Sequence, residues 1–222
     1  MYEHRARAFK LSRVIRIVLR RFLKILLRPL VRLALRLIPA GDPWERIKYA
    51  PGLALYGAGA RREFESYFAG DSKVKVRSFD DVLRWLRGCK YASDEDMFQE
   101  SDFWQHPRTF EHLKKGDCED FALWAWRKMI ELGIDADFVV GYRAPFDEGS
   151  RHAWIIYRRD GVEYLFEPCR KDRDLAIQPL ADVKQNYIPE LGVGPDKRRF
   201  AFVGYINQQQ ARQRKKEVPV LA

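Results

Sequence analysis

Residues 117–133 read DCEDFALWAWRKMIELG, and this stretch decides the fold. Asp117 is a residue type that caps helix N-termini, and Gly133 is typical of the position that follows a helix. Between them we predict a helix over residues 118–132 whose surface is apolar almost all round. Such a helix must be buried, so we expect it to be the central helix of a domain.

The sequence on either side predicts an α+β domain. Short helices are predicted before this stretch, over 60–68 and 79–87 and again from Pro107. After it the apolar period changes to two, which predicts strands over 136–143, 152–158, 162–167 and 199–206. Asp160-Gly161 between two of these runs predicts a tight hairpin. We therefore expect a buried helix packed on an antiparallel sheet.

Charge divides the 222-residue chain unevenly. Residues 1–40 hold 11 Lys and Arg with a single acid, whereas the remainder is neutral overall, so the net charge of +10 belongs to the N-terminal arm. We predict an arm over 1–40, a linker with a short helix over 41–70, the α+β domain over 71–206 and a basic flexible tail over 207–222. Three cysteines without a Cys-x-x-Cys pair indicate reduced thiols and a cytoplasmic protein.

The arm is predicted to form an amphipathic helix over residues 9–38, and its basic residues repeat every three or four positions. Interrupted by these charges, it does not resemble a transmembrane helix or a secretory signal. It could lie on an anionic membrane, dock on an assembly partner, serve as a targeting presequence or pack on its own domain. We favour the membrane surface, with peripheral attachment, and rank nucleic acid lower. The contact residues would be Arg13, Arg16, Arg20, Lys24, Arg28, Arg32 and Arg36.

A thiol at a helix start, followed by a strand histidine, is the pattern of a cysteine nucleophile with an imidazole base. Cys118 begins the predicted helix, and His152 lies on a predicted strand. If Asp160-Gly161 forms a two-residue loop, Glu167 becomes the diagonal cross-strand neighbour of His152. A carboxylate there could orient the imidazole, although each residue taken singly has an ordinary structural interpretation.

Three motifs, GDCEDFA at 116–122, HAW at 152–154 and FEP at 166–168, resemble those of the bacterial transglutaminase-like cysteine proteinases. These belong to the papain-like transglutaminase-core superfamily, and the segment DFWQHP at 102–107 is also similar. The resemblance spans about residues 75–170. It implies a Cys-His-acid triad of Cys118, His152 and Glu167, with Glu167 standing where the family usually has Asp.

The resemblance also implies ligands and neighbours for the site. No cofactor is required, but some related proteinases bind calcium through acids beside the cysteine, which indicates Asp117, Glu119 and Asp120; helix capping is the competing interpretation. The backbone N–H of Cys118, and more weakly Trp104 or Gln105, would serve an oxyanion hole.

The predicted function is thiol-dependent acyl transfer on a protein or peptide, first of all hydrolysis by a cysteine peptidase or amidase. Two alternatives remain open at this point. One is a transglutaminase that crosslinks proteins. The other is a non-catalytic transglutaminase-like module whose basic arm binds a membrane, nucleic acid or an assembly partner.

Overall fold

The computed structural model describes residues 41–47, 56–57, 59–61, 63–144 and 151–217, with side chains as far as residue 211. Residues 41–207 form one compact unit. The helices are α1 (Phe79–Arg87), α2 (Asp94–Phe98), α3 (Pro107–Leu113), α4 (Cys118–Glu131), α5 (Arg173–Ala176), α6 (Leu180–Val183) and α7 (Val203–Glu217). Short 3₁₀ turns lie at Phe64–Phe68 and Lys184–Asn186.

The strands form one large sheet and one small one. They are β1 (Arg46–Ile47), β2 (Lys90–Tyr91), β3 (Lys115–Gly116), β4 (Ala136–Arg143), β5 (Arg151–Arg159), β6 (Val162–Phe166), β7 (Ile177–Pro179), β8 (Tyr187–Val193) and β9 (Arg199–Phe202). Seven strands pair in the order β1-β9-β8-β4-β5-β6-β7, and β2 pairs with β3 alone. All pairings in the large sheet are antiparallel, so the predicted α+β class with an antiparallel sheet is confirmed.

The predicted central helix is α4, which is buried along nearly its whole length. Trp124 and Trp126 are fully buried, and Phe121 joins them in the main core against one face of β4 and β5. Even Lys128 is buried; its ammonium donates to the Val74 carbonyl at 2.7 Å and pairs with buried Glu111 at 3.5 Å. The helix therefore anchors its first residue, Cys118, rigidly against the sheet.

Local signals fix the other elements close to their predicted positions. Ser78 caps α1 through a full capping box with Asp81. Asp160 and Gly161 both have positive φ, as a type I′ hairpin turn requires. The pairing of Arg159 with Val162 and of Ile155 with Phe166 is the register that a two-residue loop dictates.

Several sequence expectations differ from the structure. Part of the segment predicted as a linker belongs to the compact unit, since β1 pairs with β9 and Tyr56 is buried. The last predicted strand stops at Phe202, and α7 continues to Glu217 through residues predicted as a flexible tail. Strands β7 and β8 were not predicted, because Pro179, Pro189 and Gly192 interrupt their sequences and favour turns.

Candidate active site

The structure places Cys118 as the first residue of α4, directly after Asp117 at the N-cap. Asp117 has the extended backbone of a cap, but its side chain makes no capping hydrogen bond. Its Oδ1 is buried without a partner among the described residues. The side-chain capping that the sequence suggested is therefore absent, and this carboxylate is left with unused acceptor capacity beside the thiol.

The thiol of Cys118 is held in its neutral form. Its Sγ donates to Oε2 of Glu119 at 3.2 Å. Burial raises the pKa of Cys118 well above its ordinary value, and the charges of Glu119, Asp117 and the nearby Cys169 raise it further. A helix N-terminus favours thiolate, but here burial and adjacent acids outweigh that effect.

His152 and Glu167 form the contact that the hairpin register predicts. Nε2 of His152 lies 2.8 Å from Oε2 and 3.1 Å from Oε1 of Glu167. The Glu167 side chain is 2% exposed and the His152 side chain 14%. Because an ionised carboxylate can only accept, Nε2 carries the shared hydrogen and Nδ1 is left as an acceptor. The contact with Glu167 therefore favours the tautomer that carries its hydrogen on Nε2.

The sheet separates the surroundings of the thiol from those of the imidazole. Ala153 and Ile155 pack in the core that contains α4, whereas Trp154 belongs to a second core on the opposite face. His152 shares the face of Trp154 and stacks on its ring, with centroids 6.2 Å apart. Cys169, two residues after Glu167, affects the pKa of Cys118.

The thiol donates to Glu119, whereas the imidazole pairs with Glu167. Within the described part of the chain no hydrogen bond joins Cys118 to His152.

Three acids form a cluster that includes both residues flanking Cys118. Asp94, Asp117 and Glu119 each offer one oxygen, and these oxygens lie within 4.8 Å of one another. Burial raises the pKa of Asp117 to about 9 and that of Glu119 to about 7; Glu119 contributes to the shift of Asp117. Oδ1 of Asp94 is buried and, like that of Asp117, lacks a partner among the described residues. This donor set suits a hard cation, which prefers carboxylate oxygens.

The acid cluster differs from the set that the sequence indicated. Asp120 is turned away from it and accepts from the backbone N–H of Gln105 at 2.7 Å and from the amide of the same residue. Asp94 replaces it. Sequence reasoning missed Asp94 because it lies in an acidic, aperiodic region, 23 positions before Asp117. Only the folding of α2 against the start of α4 reveals the proximity.

The residues suggested for an oxyanion hole already have partners for their side-chain donors. Nε1 of Trp104 donates to Asp102 at 2.8 Å, and Nε2 of Gln105 donates to the Lys115 carbonyl at 2.9 Å. Trp104 also packs against Phe138 in the core. The backbone N–H of Cys118, in the first turn of α4, needs no intrahelical partner. An oxyanion role for any of these donors stays a prediction.

The seven basic residues proposed for membrane contact, Arg13 to Arg36, lie outside the described residues. Among the residues that are described, no helix has both the length and the apolar character needed to cross a bilayer.

Comparison with known proteins yields likeness in structure alone. No protein-family model matches the chain, and no curated protein matches it either. One similar structure is LapG of Legionella pneumophila, at 14% identity over 69% of this chain and 86% of that one, with a TM-score of 0.44. The calcium-bound form of LapG is 16% identical over 58% of this chain and 71% of that one, with a TM-score of 0.41.

A third similar structure is a TGase, 22% identical over 47% of this chain and 29% of that one, with a TM-score of 0.31. Within the described residues, the chain itself places a cysteine at the start of a buried helix, a histidine on β5 and an acid directly after β6. We draw no activity, substrate or metal from likenesses this distant.

Proposed function

We propose that this protein is a thiol-dependent hydrolase of peptide or amide bonds, in which Cys118 is the nucleophile, His152 the base and Glu167 the orienting acid. The observation that carries the proposal is the 2.8 Å contact between Nε2 of His152 and Glu167, predicted from the hairpin register and present in the folded chain. A buried carboxylate that fixes the tautomer of a partly exposed imidazole near a helix-start cysteine suits acyl transfer.

The proposed reaction begins when Nδ1 of His152 takes the thiol proton of Cys118. The sulfur attacks the carbonyl carbon, and the oxyanion is stabilised by backbone N–H donors at the start of α4. The imidazolium then gives its proton to the leaving amine, and a thioester remains on Cys118. Water, deprotonated by the same imidazole, releases the acid and restores the thiol.

This reaction requires the thiol to leave Glu119. In the described conformation the hydrogen of Sγ points to Oε2 of Glu119, and burial together with nearby acids keeps the pKa of the thiol high. The mechanism requires Cys118 to turn from Glu119 toward His152, which would exchange a carboxylate partner for a base. We therefore regard the described arrangement as the resting form of the enzyme.

Two measurements test the proposal. Alkylation by iodoacetamide at neutral pH, followed on the Cys118 peptide by mass spectrometry, should slow in His152→Ala and stay unchanged in His112→Ala, which alters an exposed histidine. Hydrolysis of a casein or peptide-library substrate should vanish in Cys118→Ala and persist in Cys89→Ala. Full hydrolysis by Cys118→Ala would refute the mechanism. Incorporation of a fluorescent primary amine in place of water would show transamidation instead.

One observation favours a second candidate, the non-catalytic module. Cys118 is hydrogen-bonded to an acid and not to the histidine, which is how an inert buried thiol would be placed. If Cys118 alkylates no faster than an unstructured thiol peptide and His152→Ala has no effect, the module is the better description. The body would then act as a scaffold for its arm.

We further propose that Asp94, Asp117 and Glu119 hold a calcium ion. The support is the unused acceptor capacity of two buried oxygens and the mutual proximity of the three carboxylates. A divalent cation there would supply positive charge beside the thiol. Calcium should raise the melting temperature of the wild type and of Glu95→Gln, an exposed acid in the same helix as Asp94, but not of Asp94→Asn. An equal rise in melting temperature in all three proteins would refute calcium binding at this site.

For the arm we propose attachment to an anionic membrane surface. The support is the repeated basic residues among apolar ones over 9–38. The full-length protein should sediment with vesicles that contain phosphatidylserine and not with pure phosphatidylcholine, and deletion of residues 1–40 should abolish the binding. Equal sedimentation with both vesicle types would refute the electrostatic basis.

A further inference from the structure

A cavity of about 320 Å³ opens beside Glu167, on the face of the sheet that carries His152. Its wall includes Arg143 at the end of β4, Arg170 after β6 and Tyr187 at the start of β8. Leu175, 53% exposed, stands at its edge. The volume is at the small end of the range for ligand sites, so it suits one side chain or a small molecule.

The charges on this wall are unbalanced. Among the residues that the structure describes, Glu167 is the single acid that lines the cavity, and both of its oxygens are within hydrogen-bond distance of His152. Arg143 and Arg170 line it as well, and neither guanidinium forms a salt bridge with any described residue. The described part of the wall thus carries one positive charge in excess, and one bound anion would neutralise it.

The guanidinium groups of Arg143 and Arg170 both affect the phenol of Tyr187. Burial raises the pKa of Tyr187 and the nearby Glu167 raises it further, whereas Arg143 and Arg170 both oppose the rise. Two positive charges therefore lie near the phenol oxygen, which itself lies beside the Glu167 carboxylate.

We propose that this cavity binds the carboxylate of an acidic side chain in a peptide, an inference that rests on the proposed peptidase function. Planar guanidinium groups bind a carboxylate through paired N–H donors. Gln178 adds an amide to the wall, and Leu175 offers apolar contact for the methylene stem. Because Glu167 lines the cavity and also contacts His152, a peptide anchored here passes close to the imidazole.

Binding can be measured without catalysis in full-length Cys118→Ala protein. The probe is N-acetyl-glutamate N-methylamide, and its control is the glutamine analogue, which has the same shape and no charge. We expect saturable shifts of the Arg143 and Arg170 Nε–H resonances with the glutamate probe and at least tenfold weaker binding of the glutamine analogue. Equal binding of the two probes would overturn the proposal.

Variants assign the binding to this cavity. Arg143→Gln combined with Arg170→Gln should abolish binding; the second change keeps the backbone N–H of residue 170, which donates to the Glu167 carbonyl at 3.0 Å. Arg84→Gln, which alters an exposed arginine in α1, should leave it unchanged. Binding that survives the double change would refute the site. Inorganic phosphate that binds more tightly than the glutamate probe, and displaces it, would also refute it in favour of a phosphate site.

The two proposals fail separately. If wild-type protein hydrolyses no peptide while the glutamate probe still binds, the peptidase function falls and the carboxylate site stands. If hydrolysis occurs, the double arginine change should lower kcat/KM at least tenfold for glutamate-containing peptides and leave glutamine-containing peptides unaffected. An equal loss for both peptides would mean a general structural effect and would overturn the inferred specificity.

Discussion

The substitution Glu167→Gln tests most directly whether the His152–Glu167 contact affects the reactivity of the Cys118 thiol. Glutamine matches glutamate in shape but removes the charge that receives the Nε2 hydrogen of His152 at 2.8 Å. A hydrogen bond to a charged group contributes about 1.5–3 kcal/mol, roughly twice a neutral one or more. Because the glutamine amide can still accept a neutral bond, about half of this contribution is lost, roughly 0.8–1.5 kcal/mol. At about 1.4 kcal/mol for each factor of ten in rate, the Cys118 reaction should slow by about 4- to 13-fold.

The assay is the second-order rate of Cys118 alkylation, measured by mass spectrometry of the peptide that contains it, alongside peptide hydrolysis. Glu163→Gln is the matched control, because this acid lies on β6, the strand that Glu167 directly follows, and pairs with Arg158. Glu167→Asp keeps the charge on a shorter side chain and should recover part of the rate. Melting temperatures of the three variants establish that each is folded.

The reasoning is refuted if Glu167→Gln, folded like the wild type, alkylates and hydrolyses at wild-type rates. An equal loss in Glu163→Gln would refute it too, because the effect would then come from general electrostatics of β6. Either outcome would leave the His152–Glu167 contact as a structural hydrogen bond.

Three further predictions concern the thiol, the backbone and the core. Glu119→Gln removes a charge that raises the pKa of Cys118. The midpoint of the alkylation–pH profile of Cys118 should therefore move to lower pH, and the alkylation rate at pH 8 should rise several-fold. Glu95→Gln should change neither, and an unmoved midpoint in Glu119→Gln would contradict the electrostatic cause. Gly141→Ala places a Cβ against the backbone of β8 and should lower the free energy of unfolding in urea by about 1–3 kcal/mol. Gly88→Ala, the control, should lower it by less than about 1 kcal/mol. Equal losses of stability would argue against a close approach of β4 and β8 at Gly141. Lys128→Met leaves the buried Glu111 carboxylate without its positive partner and should cost about 3–5 kcal/mol in the same assay. A stabilised variant would show the ion pair to be dispensable.

Local signals explain what could be predicted from the sequence. The register of the β5–β6 hairpin follows from Asp160-Gly161, because a two-residue loop with positive φ allows one pairing, and that pairing places Glu167 beside His152. The burial of α4 follows from apolar residues on all its faces. These inferences need only neighbours in sequence or across one turn.

Contacts between distant segments could not be predicted in the same way. The entry of Asp94 into the acid cluster depends on how α2 packs, and the redirection of Asp120 depends on the amide of Gln105. The cavity beside Glu167 combines residues of β4, β7 and β8, and β7 and β8 carry no strand pattern of their own. Each of these contacts is selected by the packing of the whole domain.

The chain's own sequence determined the buried helix, the antiparallel sheet and the contact between His152 and Glu167, because helix and strand periodicity and turn chemistry act locally. Tertiary structure alone decided which partner the thiol takes. At the start of α4, burial and two acids act on Cys118 together, so its hydrogen bond goes to Glu119 while His152 is held by Glu167 across the sheet. Burial makes these electrostatic effects strong, and burial is a property of the folded domain.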